Sequence, residues 1–154
     1  MIRLRPAAPQ EWGAVRAMQE ASFLALALAY PVAMRRVHSR LIQGDAWRAD
    51  LERSDIWVAE RDGAILGSAG WIAAGEPVVA RIRKVFVHPL AARQGLGSRL
   101  TRAAEARSGA ARFVLRANLD GVPLYRSLGY VPEHEDVMEL PEGPPMPVVM
   151  MRRG

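Results

Sequence analysis

Hydrophobic and polar positions divide the chain into segments of two different periods. Ile2 to Arg5 alternates apolar and basic residues, as a short strand does, and Pro6 and Pro9 close it. Gln10 to Ala29 carries apolar residues at helical spacing, among them Trp12, Val15, Met18, Ala21 and Leu26. Pro31 ends or bends that helix. Val32 to Ile42 reads as a second helix, and Gly44 breaks it. Asp45 then stands where it can cap a short helical turn through Leu51.

From Ile56 the period becomes two. Ile56 to Glu60 and Ala64 to Ile72 read as strands joined by a hairpin turn at Asp62-Gly63. Gly75 to Pro77 is a second turn, and Val78 to Val87 is a long strand stopped by Pro89. A glycine-bearing turn opens a helix that runs to Ser108, where Gly109 supplies the stop. Phe113 to Ala117 is a strand. A short helix follows, with Asp120 placed as its N-cap and Pro123 in its first turn. Tyr130 to Glu139 and Val148 to Arg152 are two closing strands around a Pro/Gly-rich loop. The order predicts one α/β domain over residues 1–154.

Composition narrows the classes. With 154 residues, half of them hydrophobic and 24% charged, the chain has the profile of a single soluble domain. The absence of cysteine excludes disulfides and thiolate metal sites. The apolar stretch Ala21 to Ala33 is interrupted by Pro31 and is too short to span a bilayer. No secretory leader is evident, so a cytoplasmic home with no membrane partner is expected. The net charge is +5, and Lys84 is the single lysine among 21 basic residues. Arginine suits anionic partners. No basic stripe interleaved with aromatics marks a nucleic-acid binder.

The most informative segment is Val85 to Ser98, a buried strand entering a turn that starts a helix. The first N–H groups of a helix have no intrahelical partner and carry the positive end of its dipole. They can hold a diphosphate through the backbone alone. Gly95 and Gly97 let that backbone approach closely, and Arg93, Arg99, Arg102 and Arg107 concentrate positive charge nearby. The same glycine pair also serves as a simple tight connection. No G-x-x-x-x-G-K-[ST] is present, and position 100 is leucine rather than a third glycine, which disfavours P-loop and dinucleotide sites.

Here the sequence resembles the GNAT superfamily of N-acetyltransferases. Ala92-Arg93-Gln94-Gly95-Leu96-Gly97 stands where that family has [Q/R]-x-x-G-x-[G/A]. The glycines match, while the first position is Ala92 and the arginine is displaced to Arg93. Ala80 to Pro89 is similar to the family's fourth strand, Asn118 to Tyr130 to its N…Y…GF segment, and Pro147 to Arg152 to its last strand. The resemblance implies a mixed, mostly antiparallel twisted sheet of six to seven strands flanked by about four helices. It also implies acetyl-CoA as co-substrate, held by Val85, Phe86 and Val87, by Arg93, Gln94, Gly95, Gly97 and Ser98, and by Asn118. No metal is implied. Ile82, Val85 and Val87 cannot share one face of a regular strand, so a β-bulge is expected near Arg83.

Acetyl transfer needs a polarised thioester carbonyl, a neutral amine and a proton for the leaving thiolate. The resemblance gives the acid role to Tyr125, whose phenol has a reference pKa of about 10. Packing a short helix on the sheet is the alternative use of that ring. Asn118 either bonds the pantetheine amides or starts the helix. For the general base, Glu76, His88, His134 and water all remain open. The resemblance puts the acceptor groove along Phe23 to Tyr30, Trp47, Trp71 and the Gly143 to Pro147 loop, fitting an amine of a small molecule or peptide, and the core is the alternative place for those aromatics. A CoA-binding sensor without transfer, and transfer to charged tRNA, stay as alternatives, and a homodimer is left open.

Overall fold

The computed structural model describes residues 1–75 and 78–154. Glu76, and the end of the turn that contains it, lie outside the described residues. The described residues form seven strands: β1 Arg3–Pro6, β2 Trp57–Arg61, β3 Ala64–Ala73, β4 Val79–Val87, β5 Arg112–Asn118, β6 Val131–Met138 and β7 Met146–Arg153. Five helices accompany them: α1 Trp12–Leu26, α2 Val32–Ile42, α3 Asp45–Arg53, α4 Leu96–Ser108 and α5 Val122–Ser127. The fifth comes from the Asp45 segment, which is a full helix. Asp45 is its first residue, and Gly44 is the N-cap.

The strands make one sheet in the order β1-β2-β3-β4-β5-β7-β6. All neighbours are antiparallel except β4 and β5. Asp62 and Gly63 both take positive φ, at 52° and 83°, as the two-residue hairpin requires. Edge strand β6 is exposed and carries Pro132 and four charged or titratable residues from Glu133 to Asp136, which blunts it against further pairing.

The two faces of β4 carry different cores. Val85 and Val87 pack with Leu96 and Leu100 of α4 and with Ala59, Leu66 and Ala69. Phe86 points the other way, toward Phe23, Ala27, Tyr30, Ile42 and Met146. Helix α4 sits very close to β3: a Cβ on Gly67 would stand 2.8 Å from Leu100 Cδ1. Full burial of a leucine contributes about 2 kcal/mol, so Leu96 and Leu100 fix the position of the α4 N-terminus. Among the described residues no helix is long and apolar enough to cross a membrane.

Candidate functional site

Strand β4 is the spine of the site. Its register against β3 shifts between Ser68 and Gly70, and Lys84 takes φ 59°. This is the expected bulge, one residue beyond Arg83, and it returns Val85 and Val87 to the face of Ile82. A buried hydrogen-bond chain holds it. Trp47 Nε1–H donates to Gln19 Oε1 at 2.8 Å, Gln19 Nε2–H to Ser68 Oγ at 3.1 Å, and the Ser68 hydroxyl to the Lys84 carbonyl at 2.8 Å. Gln19 and Ser68 are fully buried, so each unmade bond would leave a costly orphan.

Strand β4 parts from β5 after Arg81, before the bulge. Pairing covers only Val79–Arg81 against Arg112–Val114. From Ile82 to Val87 the edge that faces β5 has no strand against it. A wedge opens there, with backbone donors and acceptors along one side.

At the top of the wedge lies the turn into α4. Arg93 and Gly95 take φ 62° and 77°. Among the described residues, no backbone N–H from Arg93 to Ser98 donates to a protein acceptor. The helix has no side-chain cap and no acidic residue in its first turn. Arg93, Gln94 and Gly95 are exposed. Those amides are therefore free to bind an anion.

The glycines serve different ends from those expected. Gly95 is required by its positive φ, and a Cβ there would meet nothing within 4 Å. At Gly97 a Cβ would stand 3.1 Å from Leu124 Cδ2, so this glycine lets α5 pack on α4. The arginines also divide. Arg102 is bound to Glu105 and the Leu128 carbonyl, and Arg107 to Asp55. Arg93 and Arg99 are exposed and make no ion pair among the described residues.

Asn118 ends β5. Its Oδ1 accepts the Gly121 N–H at 2.8 Å, so Asn118, and not Asp120, caps the turn before α5. Asp120 instead accepts the Ala29 N–H at 3.1 and 3.2 Å, tying the turn before α5 to the loop after α1. Tyr125 follows on α5, 8% exposed, with its ring edge-on to Tyr130. Burial pushes its phenol pKa well above the ordinary value, so the hydroxyl keeps its proton. Among the described residues it has no hydrogen-bond partner.

One cavity of about 610 Å³ joins these parts. Val85, Phe86, Val87, Gly97, Asn118 and Tyr125 all line it. Arg93, Gln94, Gly95 and Ser98 belong to the adjoining turn but are not on its wall. At the α1 side the wall is Phe23, His38 and Trp47, with Met138 and Met146. Two aromatics of the expected groove are elsewhere. Trp71 packs on the α4 face and donates to Asp55 at 2.9 Å. Tyr30 is buried beside the cavity, donating to the Pro147 carbonyl at 2.6 Å and accepting the Leu119 N–H at 2.9 Å.

The histidines named from sequence are off the wall. His88 Nδ1 accepts the Leu90 N–H at 3.1 Å and caps a turn, and His134 is exposed on β6. His38, which sequence reasoning passed over, is on it. Its ring stacks on Phe23 at 3.9 Å and meets the edge of Trp47. Burial, aided by the charge of Lys84, lowers its pKa to about 4, so it is neutral at pH 7. Its Nδ1 is buried without a partner.

Lys84 was also passed over. Its ammonium lies 3.4 Å from the Trp47 ring centroid and 3.7 Å from Asp50 Oδ2. Burial and then Arg83 lower its pKa to about 8, with Asp50 opposing. Only adjacency in the fold, not spacing in the chain, reveals this pair.

The comparisons agree with this geometry. The acetyltransferase (GNAT) domain model matches residues 52–132, more than half of the chain and all of the strands around the wedge up to the start of β6. No curated protein matches the sequence. Among solved structures, the GCN5-related N-acetyltransferase of Rhodopseudomonas palustris is similar at 20% identity and TM-score 0.86, over 98% of this chain and 94% of that one. The PaiA N-acetyltransferase of Thermoplasma acidophilum, in complex with coenzyme A, is similar at 15% identity and TM-score 0.77, over 99% and 98%. YncA of Salmonella typhimurium, with its cofactor acetyl-CoA, is similar at 18% identity and TM-score 0.66, over 99% and 92%. These likenesses concern the fold. With the domain match on the sequence itself, the chain belongs to the GNAT acetyltransferase family and is an acyltransferase.

Proposed function

We propose that residues 1–154 form one cytoplasmic N-acetyltransferase domain that moves the acetyl group of acetyl-CoA directly to a primary amine of a small molecule or peptide. The observation that carries this is the cavity of about 610 Å³. It adjoins a turn of free amides, runs along an unpaired strand edge and reaches a protonated phenol. The coenzyme A and acetyl-CoA bound to the Thermoplasma and Salmonella proteins support the reading.

The chemistry of the donors fits that co-substrate. Amides of Gly95, Gly97 and Ser98, with Arg93 and Gln94 beside them, would hold the diphosphate. The β5-facing edge of Val85 to Val87 would pair with the amides of the pantetheine arm, as a strand would. Asn118 Oδ1 accepts from Gly121, and among the described residues its side-chain N–H groups have no acceptor, which leaves them for the same arm. A backbone N–H near Phe86 or Val87 would polarise the thioester carbonyl. Tyr125 would donate to the departing thiolate. A phenol made less acidic by burial holds its proton until negative charge develops beside it.

His88 and His134 lie off the cavity wall, and His38 is too weakly basic to deprotonate an ammonium. Glu76 lies outside the described residues, so proton removal from the acceptor falls to it or to water in the cleft. Free-thiol release from acetyl-CoA over a panel of amines tests the reading. Amine-dependent release is expected; cofactor binding without release for every amine would point to a sensor instead.

A further inference from the structure

The acceptor end of the cavity is built around an excess of positive charge. Asp50 of α3 is the one carboxylate shared by three cations: it bonds Arg53, accepts from Arg83 at 3.1 Å and faces Lys84 at 3.7 Å. Arg53, Arg83 and Lys84 line the cavity. The Lys84 side chain is only 8% exposed, so its charge is poorly served by water. Among the described residues the only carboxylate on the cavity wall is Asp120, and it is already engaged by the Ala29 N–H. Two further polar groups lie on this wall. Among the described residues neither Arg83 Nε nor His38 Nδ1, both buried, has a hydrogen-bond partner, and His38 is 3% exposed.

This cluster is not the diphosphate site. The free amides start α4, which packs on the Val85 and Val87 face of β4. Asp50 and Arg53 come from α3, and the Trp47 and Phe86 rings beside them are on the opposite face. The wall next to the cations is apolar: Phe23, Trp47, Phe86 and Met146.

We propose that the acceptor is an amine that also carries a carboxylate and an apolar group, the α-amino acid being the smallest such molecule. The carboxylate balances the charge left over on Arg53, Arg83 and Lys84, and the apolar group lies on the aromatic wall. Polyamines and other polycations are disfavoured, because a second ammonium would face these three cations. The proposal rests on the acetyl-transfer reading and narrows its acceptor.

Matched pairs test it. Phenylalanine is compared with phenethylamine, and methionine with 3-(methylthio)propylamine, beside spermidine, by thiol release from acetyl-CoA. The acid of each pair is expected to exceed its decarboxylated partner by about tenfold or more in kcat/KM. Arg53→Gln and Lys84→Gln should raise KM for the acid, leave KM for acetyl-CoA in place and shrink the ratio. Arg53 is largely exposed, so its variant keeps the fold even if the Lys84 variant does not. Where neither member turns over, calorimetric binding to the CoA-loaded protein gives the same ratio. Equal or better use of phenethylamine or spermidine, or equal binding, overturns the proposal. Failure of acetyl-CoA to bind strikes the transfer reading alone, because the acid and amine pair can still be compared on the free protein.

Discussion

The Lys84 ammonium sits over the indole of Trp47 at 3.4 Å from the ring centroid, inside a cavity wall that also carries His38 and Arg83. The ring can attract a cation that is largely desolvated. This cation is also the titrating member of its cluster. It faces Asp50, Arg53 and Arg83 from α3 and β4 and His38 from α2. Lys84 is charged below about pH 8 and loses that charge above it. An unreactive carboxylate such as 3-phenylpropionate should therefore inhibit more weakly as pH rises through about 8, with Ki increasing severalfold. Lys84→Gln should flatten that rise. A pH-independent Ki in the parent protein would contradict it.

His38 sets an acid limit on stability. Its folded pKa of about 4 is below the ordinary histidine value of about 6.5. Both states are neutral well above pH 6.5, so it contributes nothing there. As pH falls below 6.5 the unfolded chain binds the proton first, and stability is lost until about pH 4. The full loss is about 3 kcal/mol. His38→Phe keeps the stack on Phe23 and should remove much of this acid loss. Denaturant unfolding of both proteins at neutral pH and near pH 4.5 checks it.

Gly121 stands between both downstream site residues. A Cβ there would lie 3.1 Å from Tyr125 Cε2 and 3.2 Å from Asn118 Oδ1. Gly121→Ala should displace the phenol and lower kcat by about tenfold while the protein stays folded. Steady-state kinetics with unchanged circular dichroism is the check.

Tyr125→Phe removes only the hydroxyl. If that group protonates the leaving thiolate, kcat should fall by about a hundredfold or more, with little change in acetyl-CoA affinity. An unaltered kcat would reduce Tyr125 to a packing ring, the other use open to it from sequence.

Glu105 lies away from the cavity, 5% exposed, between Tyr130, Arg102 and Arg153. Burial raises its pKa, but the hydrogen bonds from Tyr130, Arg102 and Arg153 outweigh it and hold it below the ordinary value. Glu105→Gln should cost about 3 kcal/mol of stability, read by chemical denaturation, while leaving acetyl-CoA affinity in place.

How far the sequence could be read follows from where each signal sits. The bulge was legible because Ile82, Val85 and Val87 break the period of two within one strand. The helix limits at Ile42 and Ser108 were legible because glycine and cap residues are local. Trp71 was misplaced because alternation assigns residues to two faces without saying which helix covers which. Asp120 was taken for a cap because its reach to Ala29, from the turn before α5 to the loop after α1, is invisible in one dimension. The same holds for His38, Asp50 and Lys84, which three separate elements bring together. The Gln19 and Ser68 relay looked like ordinary polar positions until burial made them obligatory partners.

The most direct measurement is calorimetric titration of the protein with acetyl-CoA, repeated with S-acetylpantetheine and with Gly95→Val. Gly95 takes φ 77°, which a β-branched residue resists, so that variant distorts the turn whose amides are free. One-to-one binding of acetyl-CoA in the micromolar range is predicted, weakened at least about tenfold by loss of the diphosphate or by the substitution. No binding, or binding indifferent to both changes, would contradict the account.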